Sequence, residues 1–225
     1  MKKIIIIIVV LLSSNVLAHM DHYKKYNKIE MDIFRNGELI GYNYYFFSRK
    51  GDKTIVTNQI KFSVEILGVA IFQVEGYGEE EYVKDQLISY TSKTLQNDKE
   101  KFVNLFFDKD KNKFNIRGSS FSGEASSNNI VGNWWSHKIL QTDSQISPIS
   151  GSIKKQTVTF VGKETIEQYG KIYNVDHFTL KSKDMDLPKD KRLDFNIWYE
   201  PKTAQIIRVS YSRMGNWEYR LKNFK

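Results

Sequence analysis

Apolar and polar side chains alternate along several stretches of this chain. Residues 60–66, 193–199 and 216–222 each place an apolar side chain at every second position, and the side chains between them are polar except for Trp198. A period of two is typical of β-strands that turn one face to the protein core and the other to water. Residues 19–225 carry no convincing period of 3.6, the period that indicates a helix. We therefore expect a mainly β protein.

Turn-forming residues separate the alternating segments. Asn36-Gly37 is a strong hairpin signal, because the type I′ turn requires a positive φ angle at both central residues. Residues 50–52, 67–68 and 169–170 mark further turns between strand-like runs. These signals predict about a dozen strands, most of them antiparallel to their neighbours in sequence.

Residues 118–151 lack the alternation and are rich in Ser, Asn and Gly. We expect this segment to be an irregular excursion across the sheet, with at most one short helix in residues 126–140. Ser126 or Ser127 would cap that helix, because a serine side chain accepts hydrogen bonds from the free N–H groups of a first turn. Long loops in compact proteins often carry function, so the excursion is a candidate region.

The N-terminal residues 1–18 have the pattern of a secretory signal peptide. Two lysines precede an unbroken apolar run at residues 4–12, and the segment ends on small residues up to Ala18. The run is too short to span a membrane, which takes about 20 apolar residues. We expect this helical signal peptide to be cleaved near Ala18. Cleavage leaves residues 19–225 as a single β-rich domain, periplasmic or secreted, without a transmembrane span.

Composition narrows the function classes further. The chain has 34 Lys and Arg against 26 Asp and Glu, a formal charge of +8, which falls to +6 without the two lysines of the signal peptide. Because the basic residues are scattered among acidic ones and the protein is expected to be exported, we predict no nucleic-acid partner. The charge then indicates a solvated surface or a weak affinity for anionic envelope lipids. The absence of cysteine excludes disulfides, thiolate metal sites and a cysteine nucleophile.

One predicted strand, at residues 40–47, has aromatic side chains on both faces. A strand that is apolar on both sides is covered on both sides. The covering layer is either a second layer of the protein, such as residues 118–151, or an apolar ligand held in a concave face of the sheet. Under the second hypothesis the lining candidates are eight side chains: Tyr42, Tyr44, Tyr45, Phe46, Phe47, Trp134, Trp135 and His137.

Few residues have the chemistry for catalysis or metal binding. Ser136, His137 and Asp143 supply the side-chain types of a hydrolase triad, but a triad depends on geometry that spacing alone does not determine. His137 and His177 are two imidazoles without an evident third ligand, which makes a poor zinc site. We therefore predict no catalytic residue, no metal and no cofactor.

Distinctive motifs follow one another through the chain. They are the hairpin of residues 30–41, Asn-Trp-Trp at 133–135, and the strand-like runs at 158–166, 177–180, 196–202, 205–210 and 216–221. In this combination they resemble a family of exported Gram-negative β-rich proteins that is known only as a domain of unknown function. The resemblance implies an antiparallel, strongly curved sheet or incomplete β-barrel, similar in style to the half-barrels of periplasmic lipoprotein carriers. It implies no assigned activity and no catalytic residues.

Three classes of function are consistent with these patterns. The leading hypothesis is a non-enzymatic envelope protein that binds an apolar small molecule, a lipid or a partner in a concave sheet face. The alternative is a structural or interaction protein whose aromatic side chains only form the core, with no ligand cavity. A hydrolase is the third class, and it requires an acid, a base and a nucleophile that converge in one cleft.

Overall fold

The computed structural model describes residues 19–225, and the predicted signal peptide, residues 1–18, lies outside the described residues. Within them, the helical elements are three short 3₁₀ turns, at His19–Tyr23, His137–Leu140 and Lys189–Lys191. The strands are β1 Lys28–Arg35, β2 Glu38–Lys50, β3 Lys53–Ile66, β4 Val69–Val83, β5 Gln86–Gln96, β6 Lys99–Asp108, β7 Lys113–Gly118, β8 Ser122–Ser126, β9 Ile130–Val131, β10 Ser144–Ile146, β11 Ile153–Gln168, β12 Lys171–Ser182, β13 Asp194–Glu200, β14 Gln205–Ser212 and β15 Asn216–Phe224.

These strands form one open sheet with β1 and β15 side by side in its middle. From β1 the strands follow in sequence order to β8 at one edge, and from β15 they follow in reverse order to β9 at the other edge. Neighbours are antiparallel except β9 and β10, which are parallel. The predicted antiparallel fold is confirmed. The strands exceed the expected dozen because short strands also form within the predicted excursion.

The predicted hairpin turns have the backbone that the sequence requires. Asn36 and Gly37 have φ angles of 51° and 85°, and Leu67 and Gly68 have φ angles of 51° and 76°. Positive φ at both central residues is the signature of the type I′ turn, whose twist matches that of the flanking strands. The turn chemistry therefore accounts for the β1–β2 and β3–β4 hairpins.

Residues 127–152, called here the crossing segment, run across the interior of the curved sheet. The Trp134 main-chain N–H donates a hydrogen bond to the Tyr45 hydroxyl of β2 at 3.1 Å. On the other side, the Tyr90 hydroxyl of β5 donates to the Pro148 carbonyl at 2.9 Å. Buried tyrosines of the sheet thus satisfy polar main-chain groups of a segment that has few ladder hydrogen bonds of its own.

The short helix expected in residues 126–140 is a four-residue 3₁₀ turn, His137–Leu140. Its N-cap is Ser136, not Ser126 or Ser127 as predicted. Ser126 instead ends β8, and its hydroxyl accepts a hydrogen bond from the Asn128 main-chain N–H at 3.2 Å. This local side-chain bond stabilises the turn into β9, so Ser126 caps a turn rather than a helix.

β3 and β4 extend beyond both of their neighbours. The pairing of β2 with β3 ends at Phe62, and the pairing of β4 with β5 ends at Val74. β3 and β4 remain paired with each other as far as Ile66 and Val69. Residues 63–73 therefore form a two-stranded projection, called here the β3–β4 arm.

The alternation predicted for residues 60–66 is correct at the base of this arm and wrong at its tip. Phe62 and Val64 are buried, whereas Ile66 is 52% exposed. Alternation assigns a side chain to a face of the sheet, but that face is covered only where neighbouring strands curve around it. At the level of Ile66 neither β2 nor β5 is paired with the arm.

Candidate functional site

Trp135 of the crossing segment lies at the centre of the interior aromatic cluster and is fully buried. Its ring meets three others edge-on: Tyr23 at 5.0 Å, Phe47 of β2 at 5.4 Å and Tyr82 of β4 at 5.9 Å between centroids. Edge-to-face contacts stabilise aromatic pairs beyond the area that they bury. The cluster therefore joins the N-terminal 3₁₀ turn, the sheet and the crossing segment into one core.

Glu80 of β4 places a buried carboxylate beside this cluster. Its Oε1 accepts hydrogen bonds from Asn133 Nδ2 at 2.6 Å and from Trp135 Nε1 at 2.9 Å, and its Oε2 accepts one from the Tyr82 hydroxyl at 2.6 Å. Burial raises the pKa of Glu80 to about 7, against the lowering effect of the hydrogen bonds from Tyr82 and Trp135. Glu80 thus holds the crossing segment on β4 through a group whose charge changes near neutral pH.

The sequence carries one signal for Glu80. It is the middle of three consecutive glutamates in β4, and strand alternation sends it to the face opposite Glu79 and Glu81. A run of acidic residues is usual on a solvated edge strand, so the sequence pattern alone favours an exposed position for Glu80. β4 is not an edge strand, because β3 and β5 pair with it on either side.

His137 and Tyr23 form a second polar contact inside the core. The Tyr23 hydroxyl lies 2.8 Å from His137 Nδ1 and donates to the Ala204 carbonyl at 3.1 Å. Burial, with smaller contributions from His22 and Lys138, lowers the pKa of His137 to about 4. His137 is therefore a neutral, hydrogen-bonded core histidine at neutral pH.

The side chains of the hydrolase hypothesis occupy different environments. Ser136 and His137 are buried in the crossing segment, whereas the Asp143 side chain is 81% exposed. The Asp143 carboxylate lies 3.6 Å from Lys183 Nζ in a surface ion pair. An acid in this position does not act as the buried orienting group that a catalytic histidine needs.

His177 belongs to a separate polar cluster on β11, β12 and β13. Its ring stacks on Trp198 at 4.6 Å, its Nδ1 lies 2.7 Å from Glu164 Oε1, and its Nε2 lies 3.1 Å from Asn196 Oδ1. Trp198 Nε1 donates to the other oxygen of Glu164 at 2.9 Å, and this bond is the main reason that the pKa of Glu164 is lowered. These contacts orient the side chains of His177, Glu164 and Trp198 on the sheet.

Residues 19–225 contain neither a cluster of metal-ligating side chains nor a membrane-spanning helix. Within that range, three or more His, Asp or Glu side chains are nowhere grouped so as to hold a metal ion. Among the same residues there is no helix with the length and apolar character needed to cross a membrane.

The eight predicted lining side chains fall on two faces of the sheet. Five meet in the interior around the crossing segment: Tyr45, Phe47, Trp134, Trp135 and His137. The other three lie on the opposite face of β2: Tyr42, Tyr44 and Phe46. There the Tyr42 and Tyr44 rings stack at 4.5 Å, and Lys28 Nζ lies over the rings of Tyr44 and Phe46 at 4.7 and 5.0 Å. The crossing segment itself is thus a covering layer on the inner face of β2.

An open groove lies beside Tyr42, on the outer face of β2 to β5. It consists of two adjoining clefts of about 420 and 530 Å³. Both are lined by a row of direct cross-strand neighbours: Tyr42, Lys61, Glu75 and Leu95. Lys61 and Glu75 form an ion pair at 3.0 Å in the middle of the row, while Leu95 is exposed at its end. The groove therefore combines the rings and methyl groups of Tyr42 and Leu95 with an exposed ion pair.

Of this row, only Tyr42 was among the predicted lining residues. The sequence carries a signal for the groove in Leu95 of the row and in Tyr77, which lines the second cleft: both are large side chains at positions of β4 and β5 that alternation assigns to water. Single exposed apolar residues are common on protein surfaces. The strand register brings Tyr77 and Leu95 into one groove, which their separate positions in the sequence do not indicate.

The comparisons with known proteins address family and fold. Residues 31–222 match the family model described as Domain of unknown function (DUF6134). A β-barrel-like protein of Domain of Unknown Function DUF1849 from Brucella abortus superposes with a TM-score of 0.60 at 10% identity, over 88% of this chain and 96% of that chain. A protein with a YmcC-like fold from Bacteroides fragilis gives a TM-score of 0.37 at 11% identity, over 88% and 94% of the two chains.

The first superposition supports the β-barrel-like fold, and the second is too weak to carry an argument. No functionally curated protein matches the chain. The expected resemblance to a family known only as a domain of unknown function is confirmed, since the model covers most of the chain. The chain belongs to the family DUF6134, a domain of unknown function.

Proposed function

We propose that this protein is exported and works in the cell envelope as a non-enzymatic binding protein for an amphiphilic ligand. The pattern of residues 1–18 supports export, followed by cleavage near Ala18 into a single β-rich domain in the periplasm or outside the cell. Intact-mass measurement of the exported protein is expected to give a chain that starts at His19. A mass that still includes Met1 would contradict export by cleavage.

The groove beside Tyr42 is the observation that carries the binding role. Clefts of several hundred Å³ that combine apolar walls with a few polar groups are typical of small-molecule sites. An apolar chain would lie on Tyr42 and Leu95, and a charged headgroup would reach the ion pair of Lys61 and Glu75. Tyr44 and Phe46 continue the aromatic surface from Tyr42 along β2.

The five interior candidates play a different part in this proposal. Tyr45, Phe47, Trp134, Trp135 and His137 contact the crossing segment or belong to it, so the space that a ligand would need is filled by the protein itself. Their role is to make the sheet rigid behind the groove. A ligand in the concave interior would have to displace the crossing segment and its hydrogen bonds to Glu80.

The second candidate is a structural or interaction protein whose aromatic residues only form the core. The complete burial of Trp135 and Tyr23 favours it. The two functions differ in a testable way. A structural protein would have an empty groove when it is purified from its own envelope, whereas a binding protein would carry a ligand there.

Native mass spectrometry of the protein purified from its own envelope tests the groove. We expect an amphiphile to be bound to the wild type, and we expect Leu95→Asp to remove it, because a charge replaces the apolar wall. Phe106→Asp is the matched control, since Phe106 is a similarly exposed apolar side chain on β6 outside the groove. Repeatedly empty wild-type spectra would favour the structural role, and a ligand retained by Leu95→Asp would overturn the groove as its site.

A further inference from the structure

The tip of the β3–β4 arm exposes an uncharged apolar run, residues 66–71. Leu67 at its apex is 99% exposed, and Ile66, Val69 and Ile71 around it are also exposed. The arm projects roughly 14 Å beyond its neighbouring strands, at about 3.4 Å per residue over the four residues of β3 that follow Phe62. Clustered apolar exposure of this kind marks an interaction surface, unlike single exposed side chains.

The backbone at Leu67 shows that this leucine is not required by the turn. Its φ angle is 51°, a left-handed conformation that favours Gly or Asn and is uncommon for a branched side chain. The same turn position is Asn36 in the β1–β2 hairpin. A leucine that is fully exposed and conformationally unfavourable contributes nothing to the core, so its value lies in contact with something outside the protein.

The shape of the tip selects among possible occupants. Ile66 and Val69 form a cross-strand pair, Leu67 forms the apex, and Ile71 is the residue that the register shift in β4 leaves unpaired. The apolar side chains thus occupy the apex and one face of the tip, and Glu65, the partner of Ala70, lies on the other face. The interfacial zone of a lipid bilayer encloses a small projection from all sides. The free main-chain groups at both edges of the arm limit the insertion to this zone, where water and headgroups still satisfy them.

A second exposed apolar side chain, that of Met214, lies at the same end of the sheet as the tip, close to arginines. Met214, in the β14–β15 turn, is 86% exposed, and its carbonyl accepts hydrogen bonds from Arg35 Nη2 at 2.5 Å and Nε at 3.2 Å. Arg213 Nη2 donates to the Arg192 carbonyl at 3.0 Å. The β1–β2 and β14–β15 turns are joined by the Asn36–Asn216 hydrogen bond, and the β3–β4 turn lies at their end because alternate turns of a meander share one end.

Three arginines at this end of the sheet bond to main-chain groups, and of these Arg213 is the most exposed. Within residues 19–225, Arg35, Arg192 and Arg213 bond to main-chain carbonyls, and none of them takes part in an ion pair. Asp184 and Asp186 offset part of the charge near Arg192, and Glu38 faces Arg35 across the β1–β2 hairpin, so Arg213 provides the net positive charge at the Met214 turn. Guanidinium groups bind phosphate oxygens in a bidentate manner. This arrangement is complementary to an anionic lipid surface.

We propose that this end of the protein docks on an anionic bilayer, with the Leu67 tip in the headgroup–acyl boundary and Arg213 on lipid phosphates. The contact is peripheral and reversible, since one small tip and one arginine provide limited binding free energy. It is independent of the groove: the docking end would hold the protein at a membrane whether or not a ligand occupies the outer face of β2 to β5.

Co-sedimentation with vesicles of phosphatidylcholine, with and without phosphatidylglycerol, tests the docking end. The exported protein is used, because the apolar residues 4–12 would bind lipid by themselves. We expect binding that requires phosphatidylglycerol, and we expect Leu67→Glu to weaken it about tenfold, since one leucine side chain leaves the apolar phase. Ile172→Glu is the matched control, because Ile172 is 72% exposed beside the β11–β12 turn at the opposite end. Arg213→Gln is expected to reduce the phosphatidylglycerol dependence, with the exposed Arg117→Gln of β7 as its control.

Three results would overturn the proposal. The first is absence of wild-type binding to either vesicle. The second is equal binding of Leu67→Glu and Ile172→Glu, with melting curves that show both variants folded. The third is a wild-type dimer that Leu67→Glu makes monomeric while vesicles have no effect, which would assign the tip to a second copy of the chain.

Discussion

The indole Nε1 of Trp135 donates a 2.9 Å hydrogen bond to the buried carboxylate of Glu80. This contact links the crossing segment to β4, and Asn133 and Tyr82 complete the donors around the two carboxylate oxygens. A buried carboxylate is tolerated only when its oxygens are hydrogen-bonded. Burial of the Glu80 carboxylate therefore costs free energy, while its hydrogen bonds hold the crossing segment on β4.

Glu80→Gln is expected to stabilise the protein above neutral pH. The folded-state pKa of Glu80, about 7, lies above its ordinary value of 4.5, so the folded state binds the proton more tightly than the unfolded state. Wild-type stability from this group is complete below about pH 4.5 and is lost as the pH rises through about 7, by at most about 3 kcal/mol. A glutamine stays neutral while its carbonyl still accepts from Trp135 and Asn133.

Urea unfolding at about pH 5 and about pH 8 measures this difference. The free energy of unfolding of Glu80→Gln is expected to exceed that of the wild type at the higher pH and to approach it at the lower. Glu79→Gln, on the opposite face of β4, serves as the control and should follow the wild type. An unchanged pH difference in Glu80→Gln would show that the carboxylate is not desolvated as the structure indicates.

Trp135→Ala is expected to destabilise the fold by about 3–5 kcal/mol, the usual cost of removing a large buried aromatic side chain. The substitution also deprives Glu80 of one donor and removes three edge-to-face contacts. Trp198→Ala, on the partly exposed cluster with His177, provides the comparison and should cost less than half as much. Equal losses in chemical denaturation would argue against a central role for Trp135.

His137 is expected to titrate with a midpoint near 4 in a histidine-ring NMR titration. Its folded-state pKa lies below its ordinary value of 6.5, chiefly because of burial. The unfolded state therefore binds a proton that the folded state rejects, and this contribution to stability is lost as the pH falls from about 6.5 to about 4. The slope is opposite to that of Glu80. A midpoint close to 6.5 would mean that water reaches the His137 ring in solution.

Gly41→Ala is expected to destabilise the protein by about 1–3 kcal/mol, the range for overpacking a filled site. A Cβ atom at Gly41 would lie 2.1 Å from the Lys61 carbonyl oxygen and 2.5 Å from Phe62 Cβ, both on the paired strand β3. Gly162→Ala is the control, since a Cβ at Gly162 has no atom within 4 Å. Comparable thermal unfolding of the two variants would disprove the close approach of β2 and β3.

Local patterns predicted the fold to the extent that local physics determines it. Alternation placed Phe62, Val64 and Trp217 on the inner face, and Asn36-Gly37 specified its hairpin, because pleat and turn geometry depend on adjacent residues alone. The number of strands was underestimated because two-residue and three-residue strands such as β9 and β10 carry no detectable period.

The candidate sites depended on register, which local patterns do not contain. Tyr42 meets Lys61 and Glu75 only because two hairpins, β2–β3 and β3–β4, bring distant residues into one row. Glu80 is buried because the crossing segment returns to β4 from far along the chain. Ile66 was assigned to the core because alternation does not reveal where neighbouring strands stop.

The pairing of β1 with β15 has a consequence for how the molecule assembles. Residues close to opposite ends of the described chain, such as Met31 and Leu221, are direct partners in the centre of the sheet. A polypeptide that emerges from an export channel with its N-terminus first would hold β1 with one side unsatisfied until β15 has also crossed. Contacts of such long sequence separation slow folding and leave strand edges open to aggregation. Completion of the sheet thus depends on β15, which joins β1 to β14.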